Sequence, residues 1–227
     1  RMELSEAVER RVLMEESLHG ARHGQGLELH FQPKVALRRG AQLVGAEALL
    51  RWRHPSLGLL APDAFIPLAE ETGLIVPMGR WVLHQAAATV VRWNQGRAEP
   101  LTMAVNVSTR QFIDDDLPAA VHEALLATGC QPAWLEVEIT ESALLEDSEL
   151  VRSVLVALRQ MQVRVAIDDF GTGYSALSYL ARFDVDCLKI DKSFVQAIEL
   201  GDRQAELVKA FIAMADALGL HLVAEGV

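Results

Sequence analysis

The chain has only two cysteines, Cys130 and Cys187. Two cannot make a disulfide framework. Cys187 falls within an apolar strand pattern and reads as buried and inert, so a reducing, cytoplasmic compartment is expected. No uncharged apolar run reaches the ~18 residues of a membrane span, and no secretory signal opens the chain. No membrane contact is expected of this domain; an anchor would belong to another part of a full-length protein. Basic residues are outnumbered, 21 against 31 acidic, for a net charge of −10. That excludes a general surface for linear nucleic acid, which needs a basic stripe. A small phosphorylated ligand held through metals stays compatible. His54 and His84 have no second histidine at a ligand spacing such as H-x-x-x-H, so both read as structural. Aromatics are 6% of the chain, few for stacking sugars.

Present instead is a hydrophobic content of 51% over 227 residues. One substantial core follows, and barrels of this length commonly form one domain. Arg1 looks internal, so the chain reads as a fragment of something longer. Residues 1–26 read as an N-terminal helix that is either a linker from an upstream domain or a helix lying on the barrel. Residues 27–227 form the domain proper.

Strand patterns follow. Leu27, Leu29 and Phe31 alternate with Glu28, His30 and Gln32, a first strand stopped by Pro33. A short turn leads to a second strand over Leu43–Trp52. So short a connection requires antiparallel pairing. Residues 53–76 read as a long loop with a short helix. Helical spacing then marks Met78–Gln95. A helix over 116–128 has Asp116 as N-cap, Pro118 in its first turn and Gly129 as its stop. Further helices are marked by Leu150, Val154, Leu158 and Met161, and by Leu207, Phe211, Met214 and Leu218. Between them lie strands at 101–107, 135–140, 163–168, around Leu188 and at 220–225. Alternating strands and helices predict a mostly parallel sheet with helices outside. The expected fold is α/β: a TIM-like (β/α)8 barrel with an antiparallel first strand.

Successive side chains in a strand point to opposite faces. Here one face is apolar and the other ends in a polar group: Glu47, Asn106, Glu138, Asp168 with Asp169, Lys189 and Glu225. Carboxylates repeated at strand ends suggest ligands around hard cations. Each residue also has a plainer reading. Glu47 and Arg51 share a face ~13 Å apart, at ~3.3 Å per residue. They can hold a cation and a phosphate, or form a buried ion pair. Asn106 can be a turn residue, and Glu141 an acid favoured at a helix start. Lys189 can be a counter-ion to Asp191 or to the acids. Asp168–Gly173 is the strongest local signal. Its adjacent carboxylates repel unless cations or basic groups intervene, and Gly171 and Gly173 allow tight backbone geometry.

Taken in order, Phe31-Gln32-Pro33, Glu47–Trp52, Pro62–Gly73, Asn106-Val107-Ser108, Glu138–Glu141, Asp168–Gly173, Leu188–Asp191 and Ala224–Val227 resemble the signatures of the EAL phosphodiesterase domains. Their tripeptide stands here as Glu47-Ala48-Leu49, and the resemblance covers roughly residues 27–227. It implies hydrolysis of cyclic di-GMP to linear pGpG with Mg²⁺ or Mn²⁺ in a two-metal site. It makes Glu47, Asn106, Glu138 and Asp168 ligands of one metal, and places Asp168, Asp169 and Glu225 around the second. Lys189 is the lysine that positions or activates the attacking water, beside Glu225 and Glu47 at the catalytic centre. Arg51 contacts phosphate, and Gln32, Leu50, Pro62 and Asp63 line the ligand groove. Glu141 steadies the loop after Asp169 and couples dimer contacts to the site. A homodimer and an upstream sensor or GGDEF-type domain are the implied partners.

The family pattern continues beyond Glu225-Gly226 with another acid, an eighth strand and a glycine–aromatic segment. The chain ends at Val227, so the C-terminal strand is missing and a barrel open along one seam is expected. Ala176 stands where the family often shows serine, a change expected to be harmless. Two other functions compete. A receptor would bind cyclic di-GMP without cutting it, but such relatives usually lose metal ligands that are present here. A glycosidase using Glu47 and Glu138 as an acid pair leaves Asn106, Lys189 and the surplus carboxylates without a role.

Overall fold

Leu27–Ala36 (β1) and Gln42–His54 (β2) pair antiparallel, with Gln32 opposite Glu47 and Glu28 opposite Arg51. This pairing comes from a computed structural model that describes residues 2–21, 24–37, 40–145, 149–171, 180, 183–198 and 202–226. Gly58–Leu60 (β3) folds back antiparallel on the end of β2. Thr102–Asn106 (β4), Leu135–Thr140 (β5), Arg164–Phe170 (β6), Cys187–Ile190 (β7) and His221–Ala224 (β8) follow. From β2 through β4 to β8, each strand lies parallel to the next. The sheet order is β1-β2-β4-β5-β6-β7-β8, with β3 attached to β2. This is the expected TIM-like barrel in partial form: β1 and β8 end the sheet and do not pair with each other among the described residues.

The outward faces explain why the sheet curls under helices. Met103, Val105, Leu135, Val137, Ile139, Val165, Ile167 and Leu188 are buried against the helical layer. That layer includes Val82, Leu83, Ala86 and Val90 of one helix and Leu117, Val121 and Leu125 of the next. Each such side chain, fully buried, contributes roughly 1.5–3 kcal/mol. Gly45 lets β2 and β4 meet closely, since a Cβ there would lie 2.4 Å from Thr102 Oγ1.

Met2–Ala21 forms helix α1, Ile66–Glu71 helix α2 and Ile75–Asn94 helix α3. Met14, Leu18 and Ala21 of α1 are buried in a second apolar cluster with Trp52, Phe65, Leu68, Ile75 and Met78. So the second half of α1 lies on the barrel. Helix α3 starts before the expected Met78 because Pro77 sits in its first turn, where a missing N–H breaks no bond. The helix Leu117–Thr128 begins as expected: Asp116 accepts the Ala119 N–H at 3.1 Å, and Gly129 closes it at φ 69°. No helix among the described residues is long and apolar enough to cross a membrane.

Two expectations fail locally. Pro33 does not stop the first strand, which runs on to Ala36 with Pro33 opposite Ala46. β1 is an edge strand, and an edge tolerates a proline that lacks the N–H for a second ladder. The stretch expected as loop and helix also contains β3, too short to show a period.

Candidate active site

Strand parity and register bring the polar strand ends together. Asn106 lies beside Glu138, and Thr140 beside Asp168. Lys189 points inward from β7 and is 1% exposed. Its Nζ lies 2.7 Å from Glu138 Oε2, 2.8 Å from Glu225 Oε1, 2.9 Å from Asp168 Oδ2 and 3.2 Å from Glu47 Oε2. Four acids from four separate stretches thus converge on one ammonium. Asn106 donates its amide N–H to Glu47 Oε1 at 2.6 Å. Lys189 is therefore the counter-ion of the acid group. Asp191 caps the following helix instead, accepting the Ser193 N–H at 3.0 Å.

Electrostatics follow from burial. Burial alone would lower the Lys189 pKa, but Glu138, Asp168 and Glu47 outweigh it and hold the ammonium far above the ordinary lysine range. Burial pushes the Glu138 carboxyl up to about 7, with Lys34 and Lys189 pulling it down and Glu47 adding to the rise. Asp169 is raised by partial burial, then by Asp168, Asp191 and Glu225. Asp169 also has φ 54°. Aspartate tolerates that left-handed region better than most residues, and such backbone clusters at functional sites. Its N–H meets Asp168 Oδ1 at 2.9 Å.

Glu141 is buried, and its Oε2 accepts the Gly171 N–H at 3.0 Å. Gly171 has φ 96°, and a Cβ there would lie 3.0 Å from the Phe194 ring. Thr172, Gly173 and Ala176 lie outside the described residues. Arg51 is half-buried and donates to the Leu50 carbonyl at 2.9 Å. The alternative Glu47–Arg51 ion pair does not form, since Glu47 engages Lys189 and Asn106. Gln32 is opposite Glu47 on the same inner face. Pro62 and Asp63 form a 3₁₀ turn after β3, with Asp63 exposed. Leu50 is opposite Leu29 and, half-buried, packs against both apolar clusters.

One residue escaped the sequence reading. Lys34 Nζ lies 2.7 Å from Glu138 Oε1 and 2.8 Å from Glu136 Oε1. Burial opposes its charge, but Glu138 and Glu136 prevail and raise its pKa. The signal was available in part: Lys34 is two residues from Gln32 and so shares its face. His54 is buried; its Nδ1 accepts the Ser56 and Leu57 N–H groups, each at 3.1 Å. Burial pushes the Cys130 thiol up to about 11 and the Cys187 thiol up to about 12, so neither is an activated nucleophile.

Glu47, Glu138 and Asp168 each offer an oxygen, and these atoms lie within 4.8 Å of one another. Three carboxylate oxygens and a nearby amide suit a hard divalent cation. Fold and centre together define a TIM-type barrel with an acidic cluster able to hold metal at strand C-terminal ends.

Comparison with known proteins agrees. The EAL domain family matches residues 15–227, so the chain belongs to that family. It is 40% identical over 225 residues to "Cyclic di-GMP phosphodiesterase PdeR" of Escherichia coli (strain K12), covering 99% of this chain and 34% of that protein. It is 41% identical over 225 residues to the "Bifunctional diguanylate cyclase/cyclic di-GMP phosphodiesterase MucR" of Pseudomonas aeruginosa, covering 99% of this chain and 31% of MucR. The chain thus spans about a third of the length of these relatives. Among solved structures, "PaMucR Phosphodiesterase, c-di-GMP complex" superposes with TM-score 0.87 at 41% identity, covering 94% of this chain and 86% of that one. The EAL domain of Mycobacterium smegmatis DcpA superposes with TM-score 0.71 at 36% identity, covering 88% and 79%.

Proposed function

We propose that this chain hydrolyses cyclic di-GMP to linear pGpG, using two divalent cations, Mg²⁺ or Mn²⁺. The observation that carries the reading is the convergence of Glu47, Glu138, Asp168 and Glu225 on Lys189 in a largely buried pocket. Relatives named for this activity and a related structure described as a c-di-GMP complex support it.

Bound cations would lower the pKa of a water and neutralise charge growing at phosphorus. Glu47, Asn106, Glu138 and Asp168 would hold one cation, with Asp168, Asp169 and Glu225 around the second. A ligand role for Asn106 uses its amide oxygen. Lys189 would position the attacking water and offset phosphoryl charge. Arg51 meets a substrate phosphate at the rim. Gln32, Leu50, Pro62 and Asp63 line the groove. Glu141, through Gly171, links the loop after Asp169 to a homodimer contact. The full-length protein carries an upstream sensor or cyclase-like domain, and this domain works in the cytoplasm.

The test is direct. Purified protein is incubated with cyclic di-GMP and Mg²⁺ or Mn²⁺, and products are separated by chromatography. Accumulating pGpG supports the enzyme. Tight binding without product makes the chain a receptor, and neither result leaves both readings without support.

A further inference from the structure

We propose that Lys34 is a positioning residue for the metal centre: it clamps one oxygen of Glu138 so that the other is offered to a cation. This rests on the reading of Glu138 as a metal ligand.

The geometry begins with strand parity. Gln32 is opposite Glu47, so Lys34, two residues on, also points into the barrel. The β1–β2 register slips immediately after Lys34, between Lys34 and Val35. Such irregularities re-aim the side chain beside them. β1 and β5 are not neighbours; β2 and β4 lie between them. Lys34 therefore reaches across the barrel interior, joining residues 104 positions apart in sequence.

Glu138 is held from both sides. Its Oε1 accepts from Lys34 at 2.7 Å, and its Oε2 faces Lys189 at 2.7 Å. The Glu138 side chain is 0% exposed, so bulk water does not compete with either partner in the folded protein. A free carboxylate can turn about its last bond and bind a cation through one oxygen or two. With Oε1 engaged by Lys34, Oε2 is the oxygen that shares Lys189 with Glu47 and Asp168. Lys34 also neutralises Glu136, two residues below Glu138 on the same face. Without Lys34, Glu136 would lose this cation and Glu138 would keep only Lys189. Partners that orient metal-binding carboxylates commonly matter about 10–100-fold in metal affinity.

The sign of the effect separates this role from a bystander charge. Removing a nearby cation, by Coulomb attraction alone, would tighten binding of a divalent ion. Losing the clamp would weaken it.

The experiment is calorimetric titration of the whole chain with Mn²⁺ alone, at matched pH, with circular dichroism confirming the fold. Lys34→Met is expected to weaken Mn²⁺ binding about tenfold or more. Unchanged or tighter Mn²⁺ binding by folded Lys34→Met overturns the proposal. Should Lys34→Met not fold, Lys34→Arg carries the test, keeping the charge but moving the donors. At least about threefold weaker binding then supports the clamp, and wild-type affinity overturns it. Glu47→Ala is titrated alongside. If it binds Mn²⁺ like the wild type, the metal-site reading fails, independently of Lys34.

Discussion

The Glu141 carboxylate accepts the Gly171 backbone N–H at 3.0 Å, tying a residue just past β5 to the loop after β6. Asp168 and Asp169 sit immediately before that loop, so this bond, made outside the acid cluster, is expected to help place them. Glu141→Ala removes the acceptor of the half-buried Gly171 N–H, at up to about 1–3 kcal/mol. Turnover of cyclic di-GMP is expected to fall about tenfold or more, with the circular dichroism spectrum kept. Full turnover by Glu141→Ala would remove the loop from the mechanism.

Glu47 is one of three carboxylates whose oxygens lie within 4.8 Å of one another. Glu47→Ala is expected to abolish turnover at low metal and to weaken Mn²⁺ binding about tenfold or more. Calorimetry and product chromatography read the two effects. Wild-type turnover at limiting Mn²⁺ would exclude Glu47 from the ligand set.

Lys189 is the shared counter-ion of four acids. Lys189→Met leaves buried negative charge uncompensated, and the cation-free protein is expected to lose about 3–5 kcal/mol. Mn²⁺ then restores much of the loss by binding the same acids. Thermal melts with and without Mn²⁺ check this. A variant that melts like the wild type in EDTA contradicts the counter-ion role. Turnover is expected to slow while Mn²⁺ still binds.

Glu138 gives a pH dependence. Its carboxyl rises from 4.5 to about 7 on folding, chiefly through burial. Between those values the folded state holds a proton that the unfolded chain has released. The contribution of this group to the stability of the cation-free protein therefore falls as pH rises through that window and is level above it. Cation binding needs the carboxylate and runs the opposite way. Mn²⁺ affinity is expected to be about tenfold weaker at pH 6 than at pH 8. Equal affinities at the two pH values would contradict it.

Most of the frame could be read from the sequence because strands announce themselves by period two. Glu47, Glu138 and Lys189 were visible as polar positions on inward faces, and the Asp116 cap and Gly129 stop marked their helix. Lys34 was overlooked, although it shares a face with Gln32, because Pro33 read as the end of a strand. Its partners lie 102 and 104 residues away, and only the folded barrel supplies that distance. β3 has three residues, too few for any pattern to emerge.

Leu18 of α1 is completely enclosed by its neighbours in the second apolar cluster, and Ala21 nearly so. Any shortened version beginning at Leu27 would strip this cover and bare Trp52 and Phe65 to water. An oily face of that kind invites aggregation. Investigators trimming the protein for crystals or assays should keep at least the turn carrying Met14 and everything after it.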